Sequence, residues 1–218
     1  MPQPSLLRRI LATNVGQAIA FFARLVTAAY AEWRGVGPDH AAPRVYFANH
    51  ASHGDFILIW SVLPPRDRPR LRPVAGADYW NRPGLRRFIG TDVFRALLID
   101  RSGGATGDPV AQMATALDDG ATLILFPEGT RNLTDAALLP FRSGLYHLAA
   151  ARPETELIPV WISNLNRVLP KGEFVPVPLM CKVVFGAPLR LQEAETKTAF
   201  LDRARASLLA LRPERTSA

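Results

Sequence analysis

His50 and Asp55, five residues apart in Asn49-His-Ala-Ser-His-Gly-Asp55, are residue types suited to moving a proton. A carboxylate accepting from one imidazole nitrogen fixes the ring tautomer and stabilises the imidazolium. The other nitrogen is then left to take a proton from an incoming hydroxyl. His50 is therefore a candidate general base and Asp55 its orienting partner. Taken alone, the pair reads as a turn residue and a helix N-cap. A second segment, Phe126-Pro-Glu-Gly-Thr-Arg131, adds ligand-binding chemistry. Arg131 carries a planar fork suited to phosphate, and Gly129 lets a backbone approach a ligand closely. Glu128 can accept from hydroxyls or hold Arg131 in place.

Both segments sit where strands end. Val45-Tyr-Phe-Ala48 is a short β-type run, and Phe56-Ile-Leu-Ile-Trp60 an apolar run, so the His segment reads as a turn from strand into helix. Asp55 then lies at the helix start, where unpaired N–H groups and the helix dipole favour a carboxylate. Thr122-Leu-Ile-Leu-Phe126 has a buried-strand pattern, and Pro127 cannot continue a central ladder, so Glu128 to Arg131 emerge at a strand end. Two other readings of the His segment fail on spacing. Metallo-hydrolases of the lactamase type use His-x-His-x-Asp-His. Here the order is His50-x-x-His53-x-Asp55 followed by Phe56, so no metal is expected. Ser52 lacks the Gly-x-Ser-x-Gly turn that exposes a nucleophile, and with His53 it is expected to shape the turn.

These residues resemble the lysophosphatidic acid (1-acyl-sn-glycerol-3-phosphate) acyltransferase family of glycerolipid acyltransferases. The first family signature is Asn-His-x4-Asp and the third is Phe-Pro-Glu-Gly-Thr-Arg, and both stand here without a gap. The second, usually Gly-x-x-Phe-Ile-Asp-Arg, is matched by Arg95-Ala-Leu-Leu98-Ile-Asp-Arg101, which keeps Ile-Asp-Arg and replaces the Gly and Phe. The fourth, an apolar run with a central Pro, is matched by Leu157-Ile-Pro159-Val-Trp-Ile162, and Asn132 stands where the family commonly has Ser. The resemblance implies transfer of a fatty acyl group from acyl-CoA or acyl carrier protein to a lysophospholipid hydroxyl, with no cofactor and no covalent acyl-enzyme. It makes His50 and Asp55 the catalytic pair. It assigns acceptor-phosphate binding to Arg131 and Arg101, with Glu128, Gly129 and Thr130 shaping the glycerol pocket. A different acceptor, such as a lyso-aminolipid, is the alternative within the family. A non-enzymatic protein binding anionic lipid or nucleic acid is the alternative outside it.

Composition narrows the partners. A chain of 218 residues can bury a substantial core unaided, and its single cysteine, Cys181, excludes an intrachain disulfide. Cys181 falls in a strand-like run, Met180–Phe185, where burial is expected. The net charge of +7 points to an anionic partner, and nearly all the positive charge is arginine, the only lysines being Lys171, Lys182 and Lys197. No helix-turn-helix, zinc-finger or aromatic-basic signature accompanies that charge, so nucleic acid is not expected.

Leu7, Leu11, Val15, Ala18, Phe22, Leu25, Ala29 and Trp33 recur at three-to-four spacing, with Arg9, Thr13, Ala20, Arg24, Thr27 and Arg34 opposite, so residues 1–35 read as one amphipathic helix. The longest uncharged run, Ile10 to Ala23, covers about 21 Å of a hydrocarbon core of about 30 Å. A helix lying in the interface, or packed on the domain, fits better than a span. Arg24 follows that run where a cleavable small-residue site would be expected, so no secretory signal is read. The expected location is the cytoplasmic face of a membrane, peripheral or monotopic. The arginine-rich stretch from Arg66 to Arg87 could touch lipid headgroups or donor phosphates, with Tyr79 and Trp80 at a membrane interface.

Strands expected near Val45–Ala48, Arg72–Ala75, Leu97–Asp100, Thr122–Phe126, Leu157–Ile162 and Met180–Phe185 alternate with helices. Asp108-Pro109 starts one helix and Gly120 stops it; others cover Ser143–Ala151 and Ala194–Leu211. The fold class is thus α/β, a mixed, largely parallel central sheet flanked by helices, with an N-terminal amphipathic membrane-associating helix ahead of an acyltransferase-like domain over 36–218. Both motifs follow strands and can meet at one edge of the sheet.

Overall fold

The computed structural model describes residues 5–40, 42–80, 84–99, 107–163 and 180–213. Asp100 and Arg101 lie outside them. Seven strands form one sheet: β1 (Tyr30–Trp33), β2 (Arg44–Ala48), β3 (Leu71–Gly76), β4 (Leu97–Ile99), β5 (Thr122–Leu125), β6 (Glu156–Ser163) and β7 (Lys182–Phe185), in the order β1-β7-β6-β2-β5-β3-β4. All neighbours pair parallel except β6 and β7.

The central strands are apolar on both sides because both faces are covered, as parallel sheets require. In β2, Tyr46 and Ala48 pack on one face with α1 (Leu6–Thr27) and α2 (Asp55–Val62). Val45 and Phe47 pack on the other face with α5 (Pro109–Asp118), α6 (Gly144–Ala151) and α7 (Lys197–Leu209). Two short helical turns, α3 (Ala77–Trp80) and α4 (Leu85–Arg87), lead into a π-helical turn over Phe88–Val93. The Asp108 side chain caps α5 through Val110 N at 2.9 Å, and Gly120 ends that segment with φ +83°.

The N-terminus corrects the sequence reading. The helix stops at Thr27, not near residue 35. Ala28 turns left-handed at φ 44°, and Tyr30–Trp33 joins the sheet as an edge strand. Cys181 N donates to Thr27 O at 2.8 Å and Tyr30 N to Cys181 O at 3.2 Å, so β7 takes over the backbone where the helix releases it. Trp33 stacks on Phe185, with centroids 4.0 Å apart. This 30–33 segment therefore belongs to the sheet, and the proposed boundary at residue 35 falls after its first strand.

The packed face of α1 is also not the one the large apolar residues define. Ala12, Gly16, Ala20 and Thr27 are buried, whereas Leu7 (79% exposed), Leu11, Phe21, Phe22 and Leu25 point outward. Small residues allow close approach: a Cβ on Gly16 would lie 3.2 Å from the Trp60 ring and from Val93. By length and composition α1 could cross a bilayer, yet it lies against α2 and the π-helical turn.

Candidate active site

Because β2 and β5 are parallel neighbours, with Phe47 opposite Leu125, the loops after them leave the sheet side by side. The expected meeting of the two motifs is therefore a consequence of register. His50 Nδ1 lies 2.8 Å from Asp55 Oδ2. A carboxylate offers only lone pairs, so the hydrogen of that contact sits on Nδ1 and Nε2 is the basic nitrogen. The same Asp55 oxygen accepts from Ala51 N at 2.7 Å and Ser52 N at 2.8 Å. Asp55 is 1% exposed at the first turn of α2, where the helix N-terminus adds favourable potential. Its orientation is thus set before any ligand arrives.

The second motif fixes the main chain of His50 from both directions. Glu128 Oε1 accepts from His50 N at 2.8 Å, and Asn132 N donates to His50 O at 2.6 Å. The other Glu128 oxygen accepts from Leu139 N at 2.8 Å. Among the described residues no ion pair joins Glu128 to Arg131, and the side chain is only 2% exposed. Glu128 is thus a strut between two loops, each carboxylate oxygen taken by a backbone amide. Burial pushes its carboxyl above the usual range, opposed by the two amides. Phe126 stacks on the His50 ring at 4.2 Å, and Asn49 pairs with both backbone groups of Ile162, tying β2 to β6.

His50 opens on a cavity of about 430 Å³. Its lining includes Gly129, Thr130, Arg131 and Arg142 beside the apolar Phe56, Trp80, Phe94, Ile99 and Leu145. Gly129 has φ +72°, and a Cβ there would collide with the Arg142 Nε and lie 2.5 Å from its Cδ. The close approach that this glycine permits is therefore to Arg142, which lies over it. Among the described residues neither Arg131 nor Arg142 forms an ion pair, and Asp78 is the acid in the cavity lining. Sequence reasoning missed Arg142. Its only signal is a basic residue just before the small Ser143-Gly144 pair that opens α6. Trp80, expected at a membrane interface, packs within 3 Å of a Cβ position on Gly90 and forms part of the cavity wall. Burial, then the Arg131 charge, hold His53 below the ordinary imidazole value.

Residues 36–163 match a sequence model of the acyltransferase family, which is more than half the chain. The chain belongs to the acyltransferase family. Among acyltransferases it is similar to the 1-acyl-sn-glycerol-3-phosphate acyltransferase alpha of Bos taurus, at 30% identity over 175 residues, 77% of this chain and 57% of that protein. It is also similar to the 1-acyl-sn-glycerol-3-phosphate acyltransferase of Haemophilus influenzae, at 24% identity over 79% of this chain and 70% of the relative. The chain thus spans little more than half the length of the bovine protein. The same acyltransferase fold is seen in the crystal structure of the 1-acyl-sn-glycerophosphate (LPA) acyltransferase from Thermotoga maritima, with a TM-score of 0.71 at 17% identity, covering 96% of this chain and 82% of that one.

Proposed function

We propose that this chain transfers a fatty acyl group from an acyl-CoA or acyl carrier protein thioester to the free hydroxyl of a lysophospholipid, lysophosphatidic acid above all. The observation that carries the reading is the His50–Asp55 contact on a cavity whose lining holds two guanidinium groups without ion-pair partners among the described residues, Arg131 and Arg142, and the aromatic rings of Phe56, Trp80 and Phe94. In this mechanism Nε2 of His50 takes the hydroxyl proton as the oxygen attacks the thioester carbonyl. Collapse of the tetrahedral intermediate expels the thiolate, which recovers the proton from the imidazolium. Asp55 keeps the ring in the reactive tautomer throughout. Arg131 and Arg142 hold the acceptor phosphate, Thr130 and the Gly129 backbone border the glycerol, and the aromatic wall takes an acyl chain. Arg101 remains a candidate phosphate ligand on its motif alone. The names of the relatives support the choice of acceptor.

The test is acceptor kinetics. A charge-assisted hydrogen bond is worth about 1.5–3 kcal/mol, so Arg131→Ala raises KM for lysophosphatidic acid by about 10- to 150-fold with donor KM unchanged. Arg142→Ala acts in the same direction. If both variants keep the wild-type acceptor KM, the phosphate assignment fails.

This reading places the domain at the cytoplasmic face of a membrane, with the outer face of α1 on the bilayer. Phe21, Phe22 and Leu25 are 65–70% exposed, and burying each such side chain contributes about 1.5–3 kcal/mol. Changing all three to Ser therefore lowers partition onto neutral phosphatidylcholine vesicles by more than about tenfold, with the Tm unaltered because none of the three packs on the domain. Vesicle flotation measures this, and unchanged partition would contradict the assignment.

A further inference from the structure

A second cavity, of about 420 Å³, lies between the first turns of α1, the end of α2 and the π-helical turn. Its lining includes Arg8, Arg9, Arg68 and Arg95, with Asp92 as the only acid. Arg8 is paired to Asp92 at 2.7 Å, which leaves three arginines with no carboxylate partner among the described residues. Three features of these arginines need a cause.

Arg68 is only 8% exposed, so its charge sits largely out of water. Its guanidinium donates to Gln17 Oε1 at 2.7 Å and Ser61 O at 2.8 Å, both neutral, and lies 4.7 Å over the Trp60 ring. A buried charge held only by neutral acceptors is costly unless an anion offsets it. Burial, then the Arg24 charge, already push this guanidinium below its ordinary value. Arg95 has φ 51°, the left-handed region that L side chains avoid at a cost of about 1–2 kcal/mol. This strained residue brings a charge to the cavity. Arg9 supplies a third charge from the flank of α1 that continues through Thr13 and Gln17, one turn apart in succession.

We propose that this cavity is a second anion site, separate from the one holding His50, which binds the phosphate of an anionic phospholipid headgroup at the foot of α1. Lipid is favoured over a soluble phosphate by position. The helix turns that line the cavity also carry Leu6, Leu7, Ile10 and Leu11, all at least half exposed, so a headgroup bound there keeps its acyl chains beside that outer face. The proposal rests on α1 meeting a bilayer, but not on acyl transfer by His50.

The experiment is binding of the full chain, without acyl donor or acceptor, to phosphatidylcholine vesicles with and without phosphatidylglycerol. The variants are Arg9→Gln, Arg95→Gly and their double. A juxtamembrane arginine is worth about fivefold in binding to anionic membranes. Each single variant therefore weakens binding to the anionic vesicles by about fivefold and the double by about 25-fold. Binding to neutral vesicles stays at the wild-type level. Arg95→Gly leaves Tm equal or raised, because it relieves the left-handed backbone, so lost binding cannot be assigned to unfolding. Unchanged binding to anionic vesicles overturns the proposal, as does an equal loss on neutral vesicles. A parallel titration with coenzyme A separates the sources of phosphate: variants that weaken coenzyme A binding while holding lipid normally would show a donor site instead. Failure of the wild type to bind neutral vesicles would instead contradict the placement of α1.

Discussion

His50→Ala lowers kcat for acyl transfer by about 10²–10⁴-fold, the usual contribution of a positioned general base, and leaves KM for donor and acceptor near wild type. The expectation follows from where the imidazole sits. Nδ1 is committed to Asp55 at 2.8 Å, the ring is stacked on Phe126, and His50 lines the cavity. A group that acts only as the hydroxyl oxygen attacks contributes to the transition state and not to ground-state binding, so the loss appears in kcat. Asp55→Asn tests the other half of the pair. Its carboxylate oxygen accepts from His50 Nδ1 and two backbone amides at once. An amide whose carbonyl takes the place of Oδ2 accepts the same three hydrogens but lacks the negative charge that stabilises the imidazolium, and one turned over sets its NH₂ against them and loses all three bonds. Either outcome lowers kcat, and the second also lowers Tm. Steady-state kinetics of the two variants beside their thermal melts measures this. A His50→Ala enzyme with wild-type kcat would remove His50 from the chemistry.

Glu128→Ala produces the largest combined effect on stability and activity. The wild-type carboxylate is buried and accepts from two backbone amides, one of them His50 N. Leaving a buried donor unsatisfied costs about 1–3 kcal/mol, so two cost about 2–6 kcal/mol. For a chain of this size each kcal/mol moves Tm by about 2–4 °C. Glu128→Gln keeps one acceptor and sets an NH₂ against the remaining amide, so its melt falls between wild type and Ala. Activity measured well below either Tm still drops in kcat, because the carboxylate that anchors the His50 amide to the second loop is gone. A Glu128→Ala protein with reduced acceptor affinity but unaltered Tm would restore the substrate-contact role that the sequence suggested.

The parts of the fold that could be read from sequence are those whose signals are local. The apolar runs of β2 and β5, the Asp108-Pro109 start and Gly120 stop of α5, and the burial of Cys181 all follow from short-range pattern. The end of α1 does not. Ala29 and Trp33 continue a helical spacing, but the same residues fit an edge strand, and only pairing with β7, far along the chain, decides between them. The direction of α1 is a related case. The stripe of large residues read as an interfacial face stays exposed, and close packing on Trp60 selects the small residues Ala12, Gly16 and Ala20, which the spacing of large residues does not mark. At the site, His50 and Asp55 were legible because their contact spans a single turn. The strut made by Glu128 was not legible because its partners, His50 and Leu139, come from different loops, and Arg142 was invisible because it belongs to no motif. Arg101 lies outside the described residues, so its role rests on the signature alone.

The most direct measurement of the central claim is thiol release from acyl-CoA and acyl carrier protein donors, with lysophosphatidic acid present or omitted, followed alongside the acylated lipid product. The account predicts release that depends on the acceptor, matches phosphatidic acid formed mole for mole, and disappears in His50→Ala. Release that proceeds equally without acceptor would mark a thioesterase, and acceptor-dependent release that persists in His50→Ala would show that the chemistry is carried elsewhere.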